Sequence, residues 1–126
     1  MLKLKTAIFI DDEVNNIRIM KREFLRYEGW LLHTCESAEQ AIDLIKNESL
    51  DPQLVITDQN MPAKKGYDFL VELKVSHPNS FGVLTTANED MVNKIAKLGD
   101  FNSCVDEVLF KPWKTKFLDS ILGRFN

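Results

Sequence analysis

The chain has 126 residues, with 16 Lys plus Arg against 19 Asp plus Glu for a formal net charge of −3, and 44% hydrophobic and 28% charged residues. That length suits one domain over residues 1–126 and leaves no room for two, and the composition is that of a chain with a core, not a disordered one. No apolar run approaches the roughly 20 residues of a membrane span or the roughly 7 to 15 of a secretory signal, and a strongly basic footprint is missing, so the expectation is a cytoplasmic protein with no membrane or nucleic-acid partner.

Lys5 to Ile10 is a short β-rich run that ends at Asp11 and Asp12, after which Val14, Ile17, Met20 and Phe24 recur at helical spacing. A second strand candidate, Trp30 to Cys35, leads to Ser37 and Gln40, a capping box opening a helix with Ala41, Ile42 and Ile45 on one face. Asp51 and Pro52 break that helix, Leu54 to Thr57 reads as a fully buried strand, and Leu70 and Leu73 fall on a helix begun after Gly66. Phe81 to Thr86 is the fourth strand. A helix from about Glu89 carries Val92, Ile95 and Leu98 and ends at Gly99, a natural left-handed terminator. Val105 to Phe110 is the fifth strand, and Phe117, Leu118, Ile121 and Leu122 line a last helix. Five strands alternating with five helices predict an α/β fold with a parallel sheet covered on both faces. Ligands of such sheets sit at the carboxyl ends of the strands, near the point where strand order reverses.

The residues closing strands one, three, four and five are Asp11 with Asp12, Asp58, Thr86 and Lys111. Carboxylates about 4 Å apart at an effective dielectric near 20 cost about 4 kcal/mol per pair, so three acids in one pocket need a cation. Lys111 supplies one charge, and a divalent metal is the simplest further candidate; hard oxygen ligands suit Mg²⁺, or Mn²⁺. Taken singly, each group has a plainer use. Asp11 and Asp12 suit the start of a helix, Asp58 a turn, Thr86 a strand end with Thr85 one position away, and Lys111 a solvated lysine.

Together, Ile10-Asp11-Asp12-Glu13, Asp58-Gln59-Asn60-Met61-Pro62 with Gly66, Thr86-Ala87 and Lys111-Pro112 occur in an order and at separations that resemble the receiver domain of two-component response regulators. The resemblance implies a flavodoxin-like, doubly wound five-stranded parallel sheet of order 2-1-3-4-5 with five flanking helices and a cis Lys111-Pro112 bond. It implies that Asp58 is the phosphoacceptor and that Mg²⁺ is held by Asp12, Asp58 and the Asn60 backbone carbonyl, with Asp11 acting through water. Thr86 is then the switch hydroxyl and Lys111 the phosphoryl-binding cation. A carboxylate needs no base to become a nucleophile, so such a site has only to align it and neutralise the equatorial oxygens. The implied donor is a phosphohistidine on a sensor histidine kinase or a histidine phosphotransfer protein. Acetyl phosphate is a small substitute. The implied output is a shift of the helix-four, strand-five and helix-five surface toward a downstream effector, or a phosphorylation-dependent homodimer. The domain is on this reading not an enzyme in its own right, although it assists its own phosphoryl transfer and dephosphorylation.

Two departures from the pattern stand out. Three positions before Lys111, where many receivers carry an aromatic residue, stands Val108; Phe101 and Phe110 are the candidate substitutes. The 24 residues between Thr86 and Lys111 suggest an enlarged loop over Asp100 to Asp106. Other features have structural readings: Trp113 packs near the last helix, and Lys64 and Lys65 are a solvated loop pair. Cys35 and Cys104 fall at opposite sheet edges, roughly 19 Å apart against a roughly 7 Å bridging limit, so no disulfide is predicted. The alternatives are a non-phosphorylated receiver-fold scaffold, disfavoured by the complete acid set, and an aspartyl phosphatase, disfavoured by Asn60 where an acid is wanted. The 15 residues after Lys111 suffice for one helix, so the output is expected from a partner or from sequence outside this chain. The Phe110 to Trp113 ending resembles receivers attached to HD-type phosphodiesterases or sensor kinases.

Overall fold

β1 (Lys5–Ile10), β2 (Trp30–Cys35), β3 (Leu54–Asp58), β4 (Phe81–Thr86) and β5 (Glu107–Phe110) form one parallel sheet of order β2-β1-β3-β4-β5, the arrangement the resemblance implies. The computed structural model describes residues 3–97 and 99–125. Among them the helices are α1 (Val14–Phe24), α2 (Ala38–Asn47), α3 (Gly66–Ser76), α4 (Glu89–Ala96), α5 (Phe101–Cys104) and α6 (Asp119–Leu122), the last running into a 3-10 turn over Gly123–Phe125.

Alternation along the strands divides the interior in two. Ala7, Phe9, Leu54, Ile56 and Val83 point to the face covered by Ile17, Met20 and Phe24 of α1 and by Leu118, Ile121 and Leu122. Ile8, Ile10, Val55 and Leu84 point to the other face, under Ala41, Phe69, Leu70, Leu73, Ile95, Phe101 and Cys104. Every residue of β3 is buried, as an apolar run in a doubly covered sheet requires. None of the helices described is long and apolar enough to cross a membrane.

Several local expectations change. Val14 is 52% exposed, and of α1 only Ile17, Met20 and Phe24 are buried in the core. At α2 the Ser37 hydroxyl accepts the Gln40 amide as a cap should, but the Gln40 side chain reaches back to the Glu36 amide instead of to Ser37. Asp100 to Asp106 is not a plain loop. Burial of Phe101 and Cys104 draws it into α5, giving six helices where the alternation predicts five. β5 accordingly starts at Glu107, two residues later than predicted. Asp106 exchanges backbone and side-chain bonds with Gly82, and the Lys74 ammonium pairs with its carboxylate. The last helix begins only at Asp119, because Phe117 and Asp119 donate to the carbonyls three residues back, Lys114 and Lys116, in successive turns around a left-handed Lys116 (φ 60°); Leu118 is still buried and Phe117 half-buried. Gly99 has the positive φ predicted for it, while Leu98 lies outside the described residues. Lys64 and Lys65 are not simply solvated: Lys64 pairs with Glu72, and Lys65 donates to the Met61 carbonyl.

Both cysteines are free and buried, and burial pushes the Cys35 thiol up to about 11. At pH 8 a thiol near 8.5 is about a quarter ionised, but one near 11 only about a thousandth. A disulfide reagent at pH 8 is therefore expected to label Cys35 of the native chain about a hundredfold more slowly than in denaturant. Peptide mapping checks this, and equal rates would mean that the β2 edge opens freely.

Candidate functional site

The carboxyl ends of β1, β3 and β5 converge on one cluster. Asp11, directly after β1, has no exposed surface; Asp12 beside it is exposed; Asp58 closes β3 and is buried. The three carboxylates offer oxygens all within 4.8 Å of one another. Lys111, the first residue after β5, crosses from the sheet edge with its Nζ 3.1 Å from Asp11 Oδ2 and 3.0 Å from Asp58 Oδ1. Its backbone amide donates to the Thr86 carbonyl, which fixes where the side chain starts, and the Lys111-Pro112 bond is cis. Asp11 is further held by the Glu13 amide at 2.9 Å and by the Asn16 side-chain amide at 3.0 Å. The helix-start role of the acid pair is thus partly real, since Asp11 folds the chain into α1 by accepting the Glu13 amide. Asp12 is left facing the cluster with solvent on its other side.

Charge balance at the cluster is incomplete. Burial pushes the Asp58 carboxyl above its ordinary value; the Lys111 ammonium pulls it down, but Asp11 and Asp12 push it up again. Burial works against the Lys111 charge, yet its bonds to Asp58 and Asp11 outweigh that and raise its proton affinity. One ammonium therefore faces three acids. Three carboxylate oxygens gathered within 4.8 Å of one another can close on a small divalent ion by side-chain rotation, with water completing its shell. The donor set, all hard oxygens with one acid open to water, is the chemistry such an ion takes.

The loop after Asp58 is organised by a residue that sequence reasoning passed over. Gln59 is buried; its amide donates to the Thr85 carbonyl, its side-chain oxygen accepts the Tyr67 amide at 2.7 Å, and its own carbonyl accepts from Met61 and Gly66. These bonds start α3 against the end of β3. Gly66 is there for closeness: a Cβ would lie 2.2 Å from the Asp58 carbonyl oxygen. Asn60, the predicted backbone ligand, follows on the exposed side of this loop. Period and motif cannot reveal Gln59 or Asn16, because each acts through one cross-loop bond.

The two threonines at the end of β4 point to opposite faces of the sheet. Thr86 follows Leu84 toward the α4 side, is buried, and its hydroxyl oxygen accepts the Asn88 amide at 3.1 Å. Asn88 in turn caps α4 by accepting the Met91 amide, so the predicted switch hydroxyl is one bond from the start of that helix. Thr85 lies opposite Asp58 in the register and gives its oxygen to the Trp113 indole at 2.9 Å. Val108 is half-buried in β5. Of its candidate substitutes, Phe101 is buried and stacked on Tyr67 at 6.0 Å, and Phe110 is 44% exposed at the strand end.

A family model described as the response regulator receiver domain matches residues 7–122. Sporulation initiation phosphotransferase F of Bacillus subtilis is 31% identical over 98 residues, covering 76% of this chain and 77% of that protein. The transcriptional regulatory protein CpxR of Escherichia coli K12 is 29% identical over 116 residues, 91% of this chain but 46% of its own length; the chain thus spans less than half of such regulators. Among solved structures, the signal receiver domain of an HD domain-containing protein from Pseudomonas fluorescens Pf-5 superposes with a TM-score of 0.84 at 22% identity, covering 98% of this chain and 88% of that one. A response regulator receiver domain protein from Clostridium thermocellum gives 0.79 at 26% identity, over 96% and 93%. With the sheet order, the strand-end acids and the family match in agreement, the chain belongs to the receiver domains of two-component response regulators.

Proposed function

We propose that this chain is a phosphoryl-accepting switch in which Asp58 takes a phosphoryl group from a phosphohistidine of a sensor kinase or histidine phosphotransfer protein. A carboxylate oxygen of Asp58 forms the new bond to phosphorus as the nitrogen–phosphorus bond breaks, and the imidazole leaves to recover its proton from solvent. The observation that carries this reading is the Lys111 ammonium between Asp11 and Asp58, with Asp12 completing an under-neutralised acid cluster at the strand ends. Asp12, Asp58 and the Asn60 carbonyl would hold Mg²⁺ or Mn²⁺, with Asp11 oriented through water. That ion supplies charge neutralisation for the phosphoryl oxygens. Lys111 and the Thr86 hydroxyl would bind those oxygens from the protein side, since accepting the Asn88 amide leaves the Thr86 O–H as a donor.

The output follows the same contacts. A Thr86 hydroxyl drawn toward phosphate leaves the Asn88 amide and loosens the start of α4, biasing the surface of α4, β5 and α6 toward an effector or a second copy. Val108 has no ring to swing, so Phe110, exposed at the end of β5, is the apolar element that this surface presents. Hydrolysis of the acyl phosphate, assisted by the same cluster, resets the switch in a cytoplasmic setting.

The test is incubation with acetyl phosphate and Mg²⁺, read by intact mass and by hydroxylamine lability of the adduct. One labile phosphoryl group is expected, and none when the metal is chelated before acetyl phosphate is added. No adduct from acetyl phosphate or from any phosphorylated kinase offered would leave the scaffold reading in its place.

A further inference from the structure

Thr85 has no exposed surface, yet it carries a hydroxyl into the sheet face that holds Phe9, Ile56 and Val83. A β-branched apolar residue would fill that position without a polar atom to satisfy. Its partner is Trp113, whose Nε1–H donates to Thr85 Oγ1 at 2.9 Å. The indole is itself fixed, edge-on to Phe9 at 5.7 Å and stacked on Phe117 at 4.9 Å. On the site side, the Lys111 ammonium lies 5.9 Å from the ring centroid while it reaches Asp11 and Asp58.

One side chain therefore touches three parts of the machinery: the cation, the β4 end that continues into Thr86, and the Phe117 segment leading to α6. Two polar groups that satisfy each other inside a core fix orientation in a way that ring packing alone does not. The Lys111 ammonium is attracted to a ring face only while it stays over it, so any group that redraws its hydrogen bonds changes what the indole feels.

We propose that Trp113 is a positioning residue for Lys111 and for the end of β4, and that it relays the seating of a phosphoryl group on Asp58 to Phe117 and α6. The proposal rests on the reading of Asp58 as phosphoacceptor. It assigns to an indole after the lysine a role that Val108, half-buried and without a polar side-chain atom, cannot fill.

Two measurements test it. The chain has two tryptophans, and Trp30 packs between Phe24 and Phe125, away from the acids. With 5-fluorotryptophan incorporated, beryllofluoride and Mg²⁺ are expected to shift the Trp113 fluorine resonance and leave that of Trp30 in place, with no shift in Asp58→Asn. Separately, Trp113→Phe and Thr85→Val are each expected to slow incorporation from acetyl phosphate about tenfold, and the double variant no more than the slower single, because both remove one bond. Thr85→Val keeps shape and strand preference, which guards against a variant that merely fails to fold. A purely structural pair would lower the unfolding midpoints while leaving incorporation at the wild-type rate, and that outcome overturns the proposal. So does an unmoved Trp113 resonance in a chain that takes up phosphate. A wild-type chain that takes up none sinks the phosphoacceptor reading, and this inference with it.

Discussion

Chains carrying Asp58→Asn are expected to incorporate no phosphoryl group and, without divalent metal, to unfold about 3 °C above the wild type. The second effect has the less obvious sign. Burial, together with the charges of Asp11 and Asp12, holds the Asp58 carboxyl above its ordinary value in spite of Lys111. Its folded form thus binds a proton more tightly than its unfolded form, and ionisation costs stability as pH rises through the carboxylate range. Removing the charge removes that cost. The advantage of Asp58→Asn should be full at neutral pH, shrink as pH falls through the folded carboxyl's raised value, and be gone only below the unfolded value of about 3.9, where the wild-type carboxyl is protonated in both states. Mg²⁺ reverses the order. At a hundred times its dissociation constant a folded-state ligand adds about 2.7 kcal/mol, and the variant, lacking one anionic ligand, gains less. Calorimetric scans at several pH values with and without Mg²⁺ check all three arms. A variant less stable than wild type across that range without metal would show that the Lys111 pair outweighs the repulsion.

Gly66→Ala is expected to cost about 3 kcal/mol or more, a fall of about 10 °C in the unfolding midpoint, and to slow phosphate incorporation about a hundredfold. The added Cβ would stand 2.2 Å from the Asp58 carbonyl oxygen, 2.9 Å from its carbon and 3.1 Å from the Gln59 Cα. All three are backbone atoms, so no side chain can swing away. Relief requires moving either the first turn of α3 or the residue proposed to be the nucleophile, and Gln59 ties the two together through its bonds to Gly66 and Tyr67. Gly123→Ala is the matched control: nothing lies within 4 Å of its Cβ and its φ of −60° is helical, so a neutral or slightly positive change is expected. Equal losses at both positions would mean that backbone freedom, not the clash, governs Gly66.

Those two sites also mark what the sequence makes legible. Apolar runs of four to six residues ending in Asp, Thr or Lys declare the strands and the cluster, because strand ends in a parallel sheet share one side by construction. Asp11, Asp12, Asp58 and Lys111 are visible for that reason. Gln59, Asn16 and the Thr85–Trp113 bond are not, since each depends on which residue a loop brings opposite another. The same limit explains α5. Phe101, Cys104 and Val105 hold helical spacing for a single turn only, too short to declare a helix, and it is packing beside Tyr67 and Ile95 that gives them something to bury against. The start of the last helix is a case of local conformation overriding pattern, where the apolar spacing opens at Phe117 but the chain is still in the turns around left-handed Lys116.

The distribution of burial across the sheet has a consequence for how the protein responds in time. β3 sits at the centre with all five residues buried, whereas β5 is a four-residue edge strand, half-buried at three positions and exposed at the fourth. Backbone amides of β3 can exchange with solvent only when the domain opens as a whole, while those of β5 are free to exchange through local fraying. Asp58 thus stands on the fully buried central strand and Lys111 beside a short edge strand open to fraying. Whatever binds between them draws the loose strand toward the fixed one, and amide exchange along Glu107 to Phe110 is where that capture would register first.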